Sequence, residues 1–90
     1  MLPYSVYILY SESDRQLYAG FTTDLNRRLQ QHFNGEVKST AYRRPLRLIF
    51  CEYYVSRSDA TCREKYFKTS KGKRALKLML RDTFKQMSLP

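Results

Sequence analysis

Ninety residues suffice for one domain and not for two, and a chain this short buries only about 60% of the surface it exposes when unfolded. With 42% hydrophobic and 14% aromatic residues, the composition suits a small folded core and excludes a disordered tail. The net charge of +9, from 17 Lys and Arg against 8 Asp and Glu, points to a polyanionic partner, nucleic acid ahead of an anionic membrane surface, with plain solubility as the alternative.

No apolar run approaches the roughly 20 residues of a membrane span. Met1 leads almost directly into a strand-like stretch with no basic n-region and no small-residue cleavage site, so neither a signal peptide nor a membrane anchor is expected, and the cytoplasm is the expected location. Cys51 and Cys62 lack metal-type spacing and a single His cannot complete a Cys/His zinc set, so free thiols are expected.

Residues 4–10, β-branched and aromatic, predict a first strand; 11–15 have turn chemistry; 16–22 predict a second strand and hence a hairpin. A turn centred between Glu12 and Ser13 places Tyr7 directly opposite Tyr18 on one face. Thr23 or Asp24 caps a helix that continues to about Asn34, with Gly35 as its stop. Its apolar stripe is Leu25, Leu29 and Phe33. Arg28 and His32 lie along one edge of that stripe, whereas Arg27 points nearly the opposite way.

Residues 35–45 read as a polar, basic loop, and 46–55 as the best-defined strand. Ser56, with Asp59 three residues on, resembles a capping box opening a second helix through about Thr69. Ala60, Glu64 and Phe67 share its inward face. Gly72 is expected to break it, and 73–87 to form a third helix. The order ββαβαα predicts a single α/β domain over residues 1–90, a small mixed or antiparallel three-stranded sheet flanked by helices.

Taken together, Ser5-Val6-Tyr7 followed by Tyr18-Ala19-Gly20 resembles the paired motif that names the GIY-YIG nucleases, although the first tripeptide lacks its Gly. Gly20 is expected as a structural turn glycine. Arg28 sits where that family carries a helical arginine, His32 where members carry His or Tyr, and Glu64 where they carry a metal-binding glutamate. The resemblance covers nearly the whole chain and is greatest to the small stand-alone, YhbQ-like branch. Phe21 departs from the pattern, standing where some members have Lys.

The resemblance implies hydrolysis of phosphodiester bonds, with Tyr7, Tyr18, Arg28, His32 and Glu64 as catalytic candidates. Glu64 would hold one Mg²⁺ or Mn²⁺, since hard cations prefer oxygen ligands. Arg28 would offer its guanidinium to phosphate oxygens. Tyr7 is the leading base, with Tyr18 and His32 as partners or substitutes; a phenol of ordinary pKa near 10 needs a nearby cation for that task. The bland alternative for Glu64 is a helix-surface salt bridge with Lys68 four residues on. Lys38, Tyr42, Arg43, Arg44 and Arg47 are candidates for binding phosphates and stacking a base, or else form a solvated face.

The expected activity is therefore a metal-dependent endonuclease acting on nucleic acid, DNA ahead of RNA, in repair or processing, with monomer as the default. Two alternatives stand beside it: a nucleic-acid-binding module with little or no catalysis, and an interaction domain within a repair assembly.

Overall fold

The computed structural model describes residues 2–89. β1 (Tyr4–Ser11) and β2 (Leu17–Thr22) form the hairpin; α1 (Leu25–Phe33) and a short α2 (Lys38–Ala41) follow. β3 (Leu46–Tyr54) completes the sheet, and α3 (Arg57–Phe67), α4 (Ser70–Met79) and α5 (Arg81–Gln86) close the chain. The sheet is antiparallel throughout, in the order β2-β1-β3. The expected ββαβαα order holds, with two additions. The 35–45 segment is not wholly loop, because α2 folds within it, and the last helical segment is divided at Leu80, whose φ of −109° and ψ of 24° leave the helical region.

β1 is the central strand, and every residue from Ser5 to Ser11 is buried. Its alternating side chains supply two separate small cores. Val6 and Ile8 join Ala19, Ala60, Phe67 and Leu76 on the face covered by α3 and α4. Tyr7 and Leu9 join Leu46 on the other face, with Leu25 and Leu29 of α1 packed against them. Opposite the Ile8/Leu9 step, Phe50 and Leu48 are the β3 partners, so Ile49 is the extra residue of a bulge. That bulge lets Ile49 and Phe50 both pack on the α3 side.

The hairpin register differs from the expected one. Tyr7 pairs with Gly20 and Tyr18 with Leu9, a shift of two residues. The turn is longer than a two-residue connection: Ser11 and Gln16 close it, the Arg15 N–H donates to the Ser11 carbonyl at 2.8 Å, and Arg15 takes a φ of +61°. Because the shift is an even number, both tyrosines keep the same face. Gly20 is accordingly not a turn residue; it lies inside β2, beneath the Tyr7 ring.

Helix ends follow the local chemistry. The Asp24 carboxylate accepts from the Arg27 N–H, and the Ser56 hydroxyl accepts from the Asp59 N–H, as their cap positions predict. Gly35, at φ +78°, ends α1. The buried residue of α1 is His32, while Phe33 is exposed, so the stripe runs Leu25, Leu29, His32. Gly72 does not break a helix. The break is at Thr69, whose hydroxyl accepts from the Gly72 N–H to cap α4. Gly72 sits in that first turn because a Cβ there would lie 1.9 Å from the Tyr66 carbonyl oxygen.

Candidate active site

Tyr7 and Tyr18 project from the face of the hairpin that α1 covers, with ring centroids 6.4 Å apart. The Tyr7 ring crosses directly over Gly20, where a Cβ would fall 2.2 Å from its Cζ. That passage carries the Tyr7 hydroxyl to His32 Nε2, at 2.7 Å. The His32 ring meets both tyrosines edge-on, at 5.5 Å from Tyr7 and 5.2 Å from Tyr18. Its other nitrogen, Nδ1, lies 2.7 Å from the hydroxyl of Thr40 on α2. His32 and Thr40 are fully buried and Tyr7 retains 1% exposure.

Arg28, half-buried one turn before His32, hydrogen-bonds through Nη1 to Gln31 Oε1 at 3.0 Å. With Phe21, Thr22, Thr23, Asp24, Arg27 and Arg57 these two residues line an open cleft of about 390 Å³. Arg27 thus reaches the same cleft as Arg28, although the two leave the helix about 100° apart; a long, flexible side chain closes that angle at the rim. No carboxylate makes an ion pair with Arg27, Arg28 or Arg57 among the described residues. Arg57, whose guanidinium stands 5.1 Å above the Phe21 ring, had no sequence signal beyond following the Ser56 cap. Thr40 likewise had none, since a lone hydroxyl in a polar segment looks like any other solvated residue.

The electrostatics follow from this packing. Burial pushes the Tyr7 hydroxyl up to about 12; Arg28 opposes that rise, and Tyr18 and Glu64 add to it. Burial, with the Arg28 charge alongside, brings His32 down to about 4 and keeps its imidazole neutral at pH 7. Glu64 belongs to α3, the helix whose Ala60 and Phe67 pack with Val6 and Ile8, and its charge is felt at Tyr7. Its side chain is 20% exposed and accepts an ion pair from Lys68 at 3.2 Å, the pairing that its helical spacing allowed.

Of the basic candidates in the 38–47 stretch, Lys38 and Tyr42 are exposed, Tyr42 at 77%. The exposed Arg44 donates from Nε to the Ala41 carbonyl at 3.0 Å. Arg43 is drawn onto Asp14 at 2.6 Å and Arg47 onto Glu12 at 3.4 Å, so both serve first to tie this stretch to the hairpin turn. Cys51 and Cys62 are free thiols. No helix among the described residues is long and apolar enough to cross a membrane.

The hairpin thus carries two neighbouring tyrosines beside a histidine and an arginine of the next helix, on a three-stranded antiparallel sheet flanked by helices. The family model for the GIY-YIG catalytic domain matches residues 3–77, and the chain belongs to that family. Among its relatives are UPF0213 proteins of Staphylococcus aureus strains Mu3 and N315, each 39% identical over 68 residues, covering 74% of this chain and 83% of the relative. The solution NMR structure of a UPF0213 protein from Bacillus halodurans is 34% identical, superposes with a TM-score of 0.54, and covers 86% of this chain and 83% of that one. The chain thus joins the GIY-YIG nuclease family through the same domain that it shares with these UPF0213 proteins.

Proposed function

We propose that this protein is a metal-dependent endonuclease that hydrolyses phosphodiester bonds in DNA, in repair or processing. The observation that carries the reading is the hydrogen bond between Tyr7 and His32 with the Arg28 guanidinium beside it. It gathers a proton-handling pair and a cation for phosphate oxygens in one place.

Arg28, with no carboxylate partner among the described residues, binds the non-bridging oxygens of the scissile phosphate and neutralises charge as it builds in the transition state. Tyr7 and His32 orient the attacking water, and its proton passes to this pair. The Tyr18 ring packs beside both, 6.4 Å from Tyr7 and 5.2 Å from His32. Arg27 and Arg57 hold phosphates further along the strand in the cleft they share with Arg28. Glu64 would hold a divalent cation. A single carboxylate suits Mg²⁺ or Mn²⁺, hard cations that keep waters and phosphate oxygens as their other ligands. When bound, that cation supplies Lewis-acid polarisation of the phosphate.

The net charge of +9 supports a nucleic-acid substrate, and the free thiols support a reducing, cytoplasmic setting, with the protein acting as a monomer. A second reading, a nucleic-acid-binding module without catalysis, is favoured by the Glu64–Lys68 pair and by the Tyr7 hydroxyl at about 12. Incubation of supercoiled and branched DNA with the protein and Mg²⁺ or Mn²⁺ separates the two. Nicking or cutting abolished by chelation supports the nuclease. Salt-sensitive binding without strand scission supports the second reading.

A further inference from the structure

Thr40, His32 and Tyr7 form a line of three polar groups joined by two hydrogen bonds, each 2.7 Å long. Two of the three are hydroxyls, and the third is a neutral imidazole that carries one N–H and one bare nitrogen. Either direction along the line satisfies both hydrogen bonds and leaves one hydroxyl proton over. What lies beyond each end decides where that proton goes.

Beyond Thr40 no described residue receives it. Thr40 is fully buried, and His32 Nδ1 is the one hydrogen-bond partner of its Oγ1 among the described residues. A line running from Tyr7 towards Thr40 would strand a buried donor there, which native structures avoid. Beyond Tyr7 lie Tyr18 on β2, its ring centroid 6.4 Å away, and Arg28 on α1, so among the described residues this end of the line has polar neighbours besides His32 and the Thr40 end has none.

We propose that Thr40 is a positioning residue: its hydroxyl donates to His32 Nδ1, fixing the Nε2–H tautomer, so that His32 donates to the Tyr7 oxygen. The consequence reaches the chemistry. His32 does not take the proton of Tyr7; that proton passes to solvent water, and the phenolate then accepts one proton from the attacking water. The Tyr7 oxygen, once deprotonated, keeps the His32 N–H and the nearby Arg28 charge as its support. The arrangement makes Tyr7 the base and His32 its hydrogen-bond donor. This assignment of roles rests on the nuclease reading, whereas the direction of the hydrogen bonds does not.

His32 is the only histidine in the chain, so its ring nitrogens can be read without ambiguity. In ¹⁵N-histidine-labelled protein at pH 7, long-range ¹H–¹⁵N correlations are expected to show Nε2 protonated and Nδ1 bare. Thr40→Val should move the Nδ1 resonance towards that of a nitrogen without a hydrogen bond, and Thr40→Ser should leave it in place. An Nδ1–H pattern in the unmutated protein overturns the proposal and needs no variant to fold. In single-turnover cleavage, Thr40→Val should slow the chemical step about ten- to a hundred-fold at unchanged KM, the range typical of losing a hydrogen bond that orients a working imidazole, and Thr40→Ser should restore it. A folded Thr40→Val protein cutting at the unmutated rate refutes the positioning role. Absence of cleavage by the unmutated protein sinks the nuclease reading alone, since the imidazole spectra still decide the hydrogen-bond order.

Discussion

Replacing Gly20 by Ala tests how the fold makes the site. In an open strand that substitution would stabilise the protein by about 0.4–1 kcal/mol, because it restricts the unfolded chain. Here the added Cβ would lie 2.2 Å from Tyr7 Cζ, 2.3 Å from its hydroxyl oxygen and 2.8 Å from Cε1. Ordinary carbon contacts need about 3.5 Å or more, so the ring must retreat by about 1.3 Å. Such a displacement breaks the 2.7 Å hydrogen bond to His32. Overpacking of this kind costs about 1–3 kcal/mol, and the broken hydrogen bond about 1 kcal/mol more. Against the entropy gain, a net loss of about 1–3 kcal/mol is expected, a fall of roughly 5–20 °C in Tm for a domain of this size. Thermal unfolding followed by circular dichroism measures it, and the same substitution in a Tyr7→Leu background isolates the cause. With the ring gone, Gly20→Ala should become neutral or stabilising. An equal loss in both backgrounds, or no loss in the first, refutes the view that Gly20 exists to let Tyr7 cross the strand.

Other perturbations probe different parts of the molecule. His32 is held at about 4 when folded against 6.5 in the open chain, so the unfolded state binds the extra proton between those values. Stability should therefore be full above pH 6.5 and decline by up to about 3 kcal/mol as pH falls towards 4, and in urea titrations His32→Gln should flatten that slope. Gly72→Ala would set a Cβ against backbone, 1.9 Å from the Tyr66 oxygen and 2.9 Å from Phe67 Cα, which cannot swing aside. Urea unfolding should show a loss of about 3 kcal/mol or more despite the better helix propensity of Ala. The fully buried Ser11 hydroxyl donates to the Arg43 carbonyl at 2.6 Å and accepts from the Asp14 N–H at 3.1 Å. Ser11→Ala should cost about 1–3 kcal/mol by leaving those groups unmet, and hydrogen exchange should rise first at Asp14.

The strands, α1 and α3 were legible because their signals are local. β-branched and aromatic runs, side-chain caps at Asp24 and Ser56, and a glycine after α1 each act within a few residues. The register of the hairpin was not, because it depends on a turn whose length is set by Ser11 bonds to Asp14, Arg15 and the distant Arg43. Gly72 looked like a stop because a helix breaker and a residue admitting close helix contact are the same letter; only the proximity of Tyr66 distinguishes them.

The candidate site shows the same division. The resemblance to the family picked out Tyr7, Tyr18, Arg28 and His32, and the structure brings their side chains together. Spacing also put Glu64 on an inward face and offered its pairing with Lys68 one turn on, which the structure contains. The fate of Arg43 and Arg47 was invisible, since their partners Asp14 and Glu12 lie about thirty residues away in sequence. Thr40 is the plainest case. A buried hydroxyl gains its meaning from the imidazole it touches, and nothing within α2 announces that contact.

The measurement that bears most directly on the proposed activity is the single-turnover rate of DNA cleavage in Mg²⁺ or Mn²⁺ for the unmutated protein, Glu64→Gln and Arg28→Ala, each first verified as folded. Loss of a preorganised charge from a phosphoryl site costs about a hundred-fold or more, and a drop of that size is predicted for each variant. Cleavage that survives both substitutions at the unmutated rate would contradict the account.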